Sequence, residues 1–352
     1  MNRPATELHG APSFARELLT YAREADRPDL TTSFVLPGIR LDLVSDSEGY
    51  AELCRRALVD SEVYADNGGQ VVRSAAFDYA TRPDMPRLRI PTGDEPPLDP
   101  EDVIGGGSRA GQYDPHFRLW QFFDRSTLRA VEAFQSPGYF PPWIGSFPLR
   151  NVLNWAYVTI GWRMVHGGSL GVDGKGIMLA GSSGAGKSGT TLAGIAAGLD
   201  SVGDDYVTLD IADGKVTAYP VTRLMKQDAK GLARLGIDPA ATKAGEPNWV
   251  GKYEFDFEEL GGGRRVKSLE LEAILIPRIS HNARSKFTRA PARVGMLAFA
   301  PSNLLQLPGD WRESMAFTSE VARRLPSYFL ELSDNADEIA DAIGNFIVKG
   351  AP

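Results

Sequence analysis

The chain has 352 residues, 43% hydrophobic and 24% charged, the composition of an ordinary globular protein with room for about two domains. Its 45 acidic residues outnumber the 38 basic ones, and the resulting net charge of −7 argues against a surface built throughout for nucleic acid. One cysteine, Cys54, excludes an intramolecular disulfide and a cysteine-built zinc site; with no run near the roughly 18 apolar residues of a membrane helix and no apolar signal core in the opening residues, a cytoplasmic protein away from membranes is expected.

Taken in order, residues 13–25 are expected to form a helix, residues 32–43 a strand, and residues 47–59 an amphipathic helix on the spacing of Leu53, Ala57 and Leu58. This is a small α/β module. Pro91, Pro96, Pro97 and Pro100, among Asp94, Glu95 and Asp99 and followed by Gly105, Gly106 and Gly107, mark a linker. The expected domains are therefore residues 1–112 and residues 113–352. Trp120, Phe122, Phe123, Phe134, Tyr139, Trp143 and Trp155 follow, a density suited to a core or a domain interface. Val152, Leu153, Ala156, Tyr157 and Ile160 then recur at helical spacing and lead into the second domain.

The most informative passage is Gly181-Ser182-Ser183-Gly184-Ala185-Gly186-Lys187-Ser188, which satisfies G-x-x-x-x-G-K-[ST] at every fixed position. Ile177 to Ala180 before it suits a buried strand, and the residues from Gly189 onward read as a helix with Leu192, Ile195 and Leu199 on one side. A loop of small residues at a helix N-terminus lets successive N–H groups converge on phosphate oxygens. Lys187 can neutralise the β and γ phosphates, and the Ser188 hydroxyl can take a position on Mg²⁺. Nucleoside triphosphate binding is expected.

Gly203-Asp204-Asp205 precedes the apolar run 206–209, a strand that could bring the two carboxylates to the phosphate loop. One carboxylate could hold a metal, and the other could accept a proton from an attacking hydroxyl. Upstream, the turn Asp173-Gly174-Lys175-Gly176 is expected to join two antiparallel strands and return His166 toward the loop.

The order of His166-Gly167, hairpin, phosphate loop and Gly203-Asp204-Asp205 resembles the catalytic core of the HPr kinase/phosphorylase family. It is similar as well to related bacterial serine kinases, some acting on precursor peptides such as those of lasso peptides, and to the nucleotide domain of phosphoenolpyruvate carboxykinases. The likeness covers about residues 160–215, with softer matches at Ser146-Phe147-Pro148-Leu149-Arg150, Ile274-Leu275-Ile276-Pro277-Arg278 and Ala300-Pro301-Ser302. It implies an α/β P-loop kinase core with a smaller N-terminal α/β domain, and ATP and Mg²⁺ as cofactors. The acceptor it implies is a peptide or protein carrying a serine hydroxyl. It further implies Asp204 as the base, Asp205 and Ser188 at Mg²⁺, Lys187 on the phosphates and His166 in the active site, with residues 181–189 around the nucleotide. Gly189 stands where the family has Glu, and no Glu-x-Arg-Gly segment follows Asp205. The alternatives are an ATP-binding regulatory protein without phosphoryl transfer, or a carboxykinase or small-molecule kinase. A homo-oligomer is left open.

Downstream, residues 261–295 hold eight basic residues against only Glu270 and Glu272. Arg278, after an expected strand at 269–276, and Arg223 are candidates for phosphate or an acidic peptide, because Arg meets such groups bidentately. Residues 253–258 alternate aromatic and acidic side chains as a half-buried strand, and Gly261-Gly262-Gly263 is expected to turn it into a hairpin with a strand from Val266. Residues 336–348 read as a closing amphipathic helix.

Overall fold

The computed structural model describes residues 13–350 except 26, 68, 91–97, 136–139 and 243–244; the proline-rich centre of the expected linker, Tyr139 and residues 1–12 lie outside the described residues. The protein is mixed α/β. Its first elements are α1 (Phe14–Glu24), β1 (Thr31–Leu36), β2 (Ile39–Ser45), α2 (Glu48–Ala57) and β3 (Gln70–Asp78). Next come α3 (Pro100–Val103), β4 (Arg109–Asp114), β5 (Leu119–Asp124), β6 (Arg129–Phe134), α4 (Pro142–Gly145) and α5 (Arg150–Thr159). The expected strand at 32–43 is two strands, because the Pro37-Gly38 pair turns the chain back and pairs β1 antiparallel to β2.

Two compact units form, neither continuous in sequence: Met1–Arg55 with Asp60–Pro141 and Leu149–Ile160, and Arg56–Val59 with Pro142–Pro148 and Gly161–Pro352. The divide expected at residue 112 falls inside β4, which pairs along its whole length with β5. Proline and glycine there mark a loop within a unit, not its edge.

The first unit is a six-stranded sheet in the order β1-β2-β3-β6-β5-β4. On one face Trp120, Phe122 and Val131 meet Phe14 and Leu18 of α1, with the Phe14 ring centroid 5.3 Å from Trp120 and 5.8 Å from Phe122. Alternation along β5 and β6 sends Gln121 and Glu132 to the other face. There Glu132 is 0% exposed. Its carboxyl accepts from the Tyr50 hydroxyl and the Gln121 amide, and Asn151 Nδ2 donates to Gln121 Oε1 at 2.7 Å. Burial pushes Glu132 up to about 7, against the pull of its two bonded partners.

The second unit contributes β7 (Arg163–His166), β8 (Gly168–Val172), β9 (Lys175–Leu179), α6 (Lys187–Ala196), β10 (Tyr206–Ala212), β11 (Lys215–Pro220) and β12 (Leu224–Asp228). After these come α7 (Ala229–Arg234), β13 (Lys252–Asp256), β14 (Leu269–Asn282), β15 (Lys286–Ala290), α8 (Ala292–Gln306), α9 (Trp311–Arg324), β16 (Ser327–Ser333) and α10 (Ala336–Lys349). Its main sheet runs β15-β16-β14-β11-β10-β7, with β9 beside β14 and β8 beside β9. β14 pairs parallel to both β9 and β16. Both sheet faces are covered: Leu275, Leu179 and Leu330 pack with Leu192 and Ile195 of α6 and Ile343 and Phe346 of α10. Ile274, Ile276 and Met178 pack with Phe299 of α8 and Val321 of α9. That double burial is why residues 273–276 are an unbroken apolar run.

The hairpin expected around Gly261–Gly263 does not form. β13 pairs instead with β12 in a separate two-stranded ribbon, and β14 enters the main sheet. β14 also runs past Arg278, so that residue lies within the strand and not after it. No helix among the described residues is long and apolar enough to cross a membrane.

Candidate functional site

The expected turn at Asp173-Gly174 joins β8 antiparallel to β9, and β9 delivers the chain into the loop 180–186 at the carboxyl end of the parallel strands, where open α/β sheets bind ligands. Ala180 N–H donates to the Leu275 carbonyl at 3.0 Å, anchoring the loop's start to β14. Gly186 is the N-cap of α6 with φ +99°, a conformation that L side chains rarely adopt. The helix therefore begins at Lys187 with its first N–H groups directed into the loop. Lys187 is 8% exposed, and its Nζ donates to the Gly181 carbonyl at 2.8 Å and the Ser182 carbonyl at 3.1 Å. Burial lowers its pKa, and the charges of Asp204 and Asp205 oppose that shift.

β10 pairs antiparallel to β7 with His166 opposite Tyr206, which carries Asp204 and Asp205 to the same place as His166. The turn ahead of them is pinned by serines: Ser201 Oγ donates to the Ser169 carbonyl at 2.8 Å, and Ser169 Oγ accepts from Val202 N–H at 3.0 Å. Asp205 has φ +69°. Its Oδ1 lies 2.8 Å from His166 Nε2, its Oδ2 lies 2.6 Å from Lys226 Nζ, and its carbonyl accepts from Gly167 N–H at 3.0 Å. Burial alone would raise this carboxyl, but the Lys226 ammonium and the His166 bond hold it well below the usual carboxylate range.

Asp204 is different. It is 2% exposed, and its Oδ1 has no hydrogen-bond partner among the described residues. Burial and then the Asp205 charge raise its pKa, while the Ser188 and Thr191 hydroxyls pull the other way. The two adjacent carboxylates are thus inequivalent: both Asp205 oxygens are committed, and Asp204 keeps one uncommitted oxygen near Ser188 and Thr191.

This alters the expected division of labour. Ser188 neighbours Asp204, and the oxygens of Asp205 that a metal would use are held by His166 and Lys226. A Ser hydroxyl with a carboxylate beside it still suits Mg²⁺, which takes few protein ligands and completes its shell with water and phosphate oxygens. Among the described residues no group of three or more His, Cys, Asp or Glu is arranged to hold a metal ion.

The expected arginines go elsewhere. Arg223 Nε pairs with Asp256 Oδ2 at 3.0 Å, and Arg265 occupies the same carboxylate. The Arg278 guanidinium lies 3.4 Å from the centroid of the Phe329 ring. Lys226, Ser169 and Ser201 were not legible as site residues. Lys226 sits in the ribbon strand β12, and its partner across the ribbon is set by long-range pairing.

Gly168 shows how tightly the pair is packed. A Cβ there would collide with Thr191 Oγ1 and stand 2.8 Å from Asp204 Oδ1. Gly168→Ala is expected to cost about 1–3 kcal/mol in urea unfolding by overpacking, with a fall in any activity that depends on Asp204. A variant with wild-type stability and activity would contradict this packing.

No protein-family model matches the chain, and no curated protein matches it.

Proposed function

We propose that the protein is an ATP-dependent kinase of the kind its resemblance to HPr kinases implies, moving the γ-phosphoryl group of ATP to a serine hydroxyl of a peptide or protein. In this reading the α/β fold is a P-loop kinase core. The observation that carries it is the inequivalence of Asp204 and Asp205 beside a phosphate loop. Residues 181–188 would cradle the triphosphate with backbone N–H groups, and Lys187 would leave the loop carbonyls for the phosphates. Ser188 would hold Mg²⁺, and Asp204 stands beside it with its free oxygen. When bound, Mg²⁺ neutralises charge on the triphosphate. The acceptor O–H bond breaks as its oxygen attacks the γ-phosphorus, ADP leaves, and the proton passes to the Asp204 carboxylate. A carboxyl raised by burial is a better base near neutral pH than an ordinary aspartate. Otherwise catalysis is positioning and electrostatics.

The test is incubation with MgATP and a library of serine-containing peptides, read by mass spectrometry for phosphoserine and by calorimetry for nucleotide binding. Phosphopeptide formation is expected. A protein that binds MgATP and phosphorylates no peptide overturns the kinase reading in favour of a nucleotide-binding regulator, and one that binds no MgATP overturns both.

A further inference from the structure

Lys226 belongs to no part of the phosphate loop and to none of the three segments that carry the resemblance, yet its ammonium makes the 2.6 Å ion pair with Asp205. It projects from the β12–β13 ribbon, which among the described residues forms no ladder with the main sheet. The turn it reaches belongs to the main sheet, since Asp205 directly precedes β10. Lys226 therefore ties two separately paired pieces of the second unit together at the carboxylate pair. Its counterpart is His166, which takes the other Asp205 oxygen from β7.

The backbone shows what the tie holds. Asp205 has φ +69°, a region that non-glycine residues seldom occupy and that persists when the surroundings over-determine it. Three contacts do so here: His166 on one oxygen, Lys226 on the other, and Gly167 N–H on the carbonyl. Rotation of this one residue would swing Asp204, the residue before it, away from Ser188 and Thr191.

We infer that Lys226 is a positioning residue: with His166 it clamps Asp205 from both sides and so fixes the direction in which Asp204 faces the phosphate loop. The inference deepens the kinase reading and rests on it for the role of Asp204, but the clamp itself is a property of the turn. It commits Lys226 to Asp205, not to the triphosphate. A lysine that only waited on Asp205 before moving to phosphate would contribute to nucleotide affinity; a clamp contributes to turnover and leaves affinity alone.

Lys226→Met and Lys226→Arg separate these. In Lys226→Met the dissociation constant for MgATP is expected to stay within about twofold, while turnover falls roughly 100-fold, the loss typical of a misplaced reacting group. Turnover is read as phosphopeptide from the serine library, or as ATP hydrolysis by water. Lys226→Arg keeps the ion pair and should recover most of it. Hydrogen exchange at the Gly167 amide is a readout that needs no activity: it should quicken at least tenfold in Lys226→Met and stay slow in Lys226→Arg. If Lys226→Met proves too unstable to study, Lys226→Gln carries the same expectations. Unchanged exchange and turnover, or nucleotide affinity falling in step with turnover, overturns the clamp. A wild-type protein that binds MgATP without transfer overturns the kinase reading instead, and Gly167 exchange then decides the clamp by itself.

Discussion

Asp204→Asn is expected to abolish most phosphoryl transfer while leaving MgATP bound. The amide has nearly the shape of the carboxylate and can fill the same pocket near Ser188 and Thr191, but it cannot take the acceptor's proton. General base catalysis contributes about 10²- to 10⁴-fold, so a loss in that range is expected in single-turnover measurements with a phosphorylated peptide as product. Affinity should change far less than turnover, because the loop N–H groups, Lys187 and Ser188 that would hold MgATP are all retained. Lys187→Ala gives the opposite pattern. It deletes a charged donor to the phosphates, and hydrogen bonds to charged groups are worth about 1.5–3 kcal/mol, so MgATP affinity should weaken by roughly 10- to 100-fold. Calorimetry beside kinetics separates the two. An Asp204→Asn protein that transfers phosphate at the wild-type rate would remove Asp204 from the chemistry.

Glu132→Gln is expected to make the protein more stable at pH 8 and to flatten its dependence on pH. Glu132 is wholly buried with Tyr50 and Gln121 as its bonded partners, and its pKa rises from 4.5 to about 7. Below the ordinary value the carboxyl is protonated in both folded and unfolded chains, so its contribution to stability is fully present. Above 4.5 the unfolded chain ionises first, and the contribution is progressively lost until the folded carboxyl itself ionises at about 7. The loss across that window is about 3 kcal/mol. Glutamine does not ionise; its oxygen can still accept from the Gln121 amide, and its NH2 can face the Tyr50 hydroxyl, which accepts as well as donates. At pH 8 it should recover up to that amount, roughly 6–12 °C in the unfolding midpoint for a unit of this size. Unfolding curves at pH 4 and pH 8 for both proteins are the check; parallel pH dependences would show that the carboxyl does not control it.

Short-range signals carried much of the site. The phosphate loop, the Asp173-Gly174 turn and the apolar run at residues 206–209 each depend on neighbours in sequence, and each lies where its local pattern places it. Long-range pairing was not legible in the same way. The alternation in residues 253–258 marks a strand but does not name its partner, and β13 pairs backward with β12 instead of forward past Gly261. That choice puts Lys226 at the carboxylate pair. Charge was equally ambiguous: Arg223 and Arg278 have the right chemistry for phosphate, yet one is spent on Asp256 and the other on Phe329. The aromatic stretch misled about domain limits because sheet residues such as Phe122 and Trp120 are core in whichever unit owns the strand.

The interleaving of the two units bears on how the protein can be dissected. Val59 N–H donates to the Val221 carbonyl and Arg223 N–H to the Ala57 carbonyl, while Thr222 Oγ1 donates to the Ala57 carbonyl at 2.9 Å. The stretch leading into β12, and through it Lys226, thus draws its backbone partners from a segment more than a hundred residues earlier in the chain. A gene fragment beginning at residue 161 would encode every residue of the phosphate loop and of the Asp204–Asp205 turn, yet would leave the groups of the buried Val221 and Thr222 without these partners, a cost of about 1–3 kcal/mol for each. Such a fragment should be recovered as misfolded material, and adding back residues 56–59 and 142–148 requires the whole of the chain that connects them.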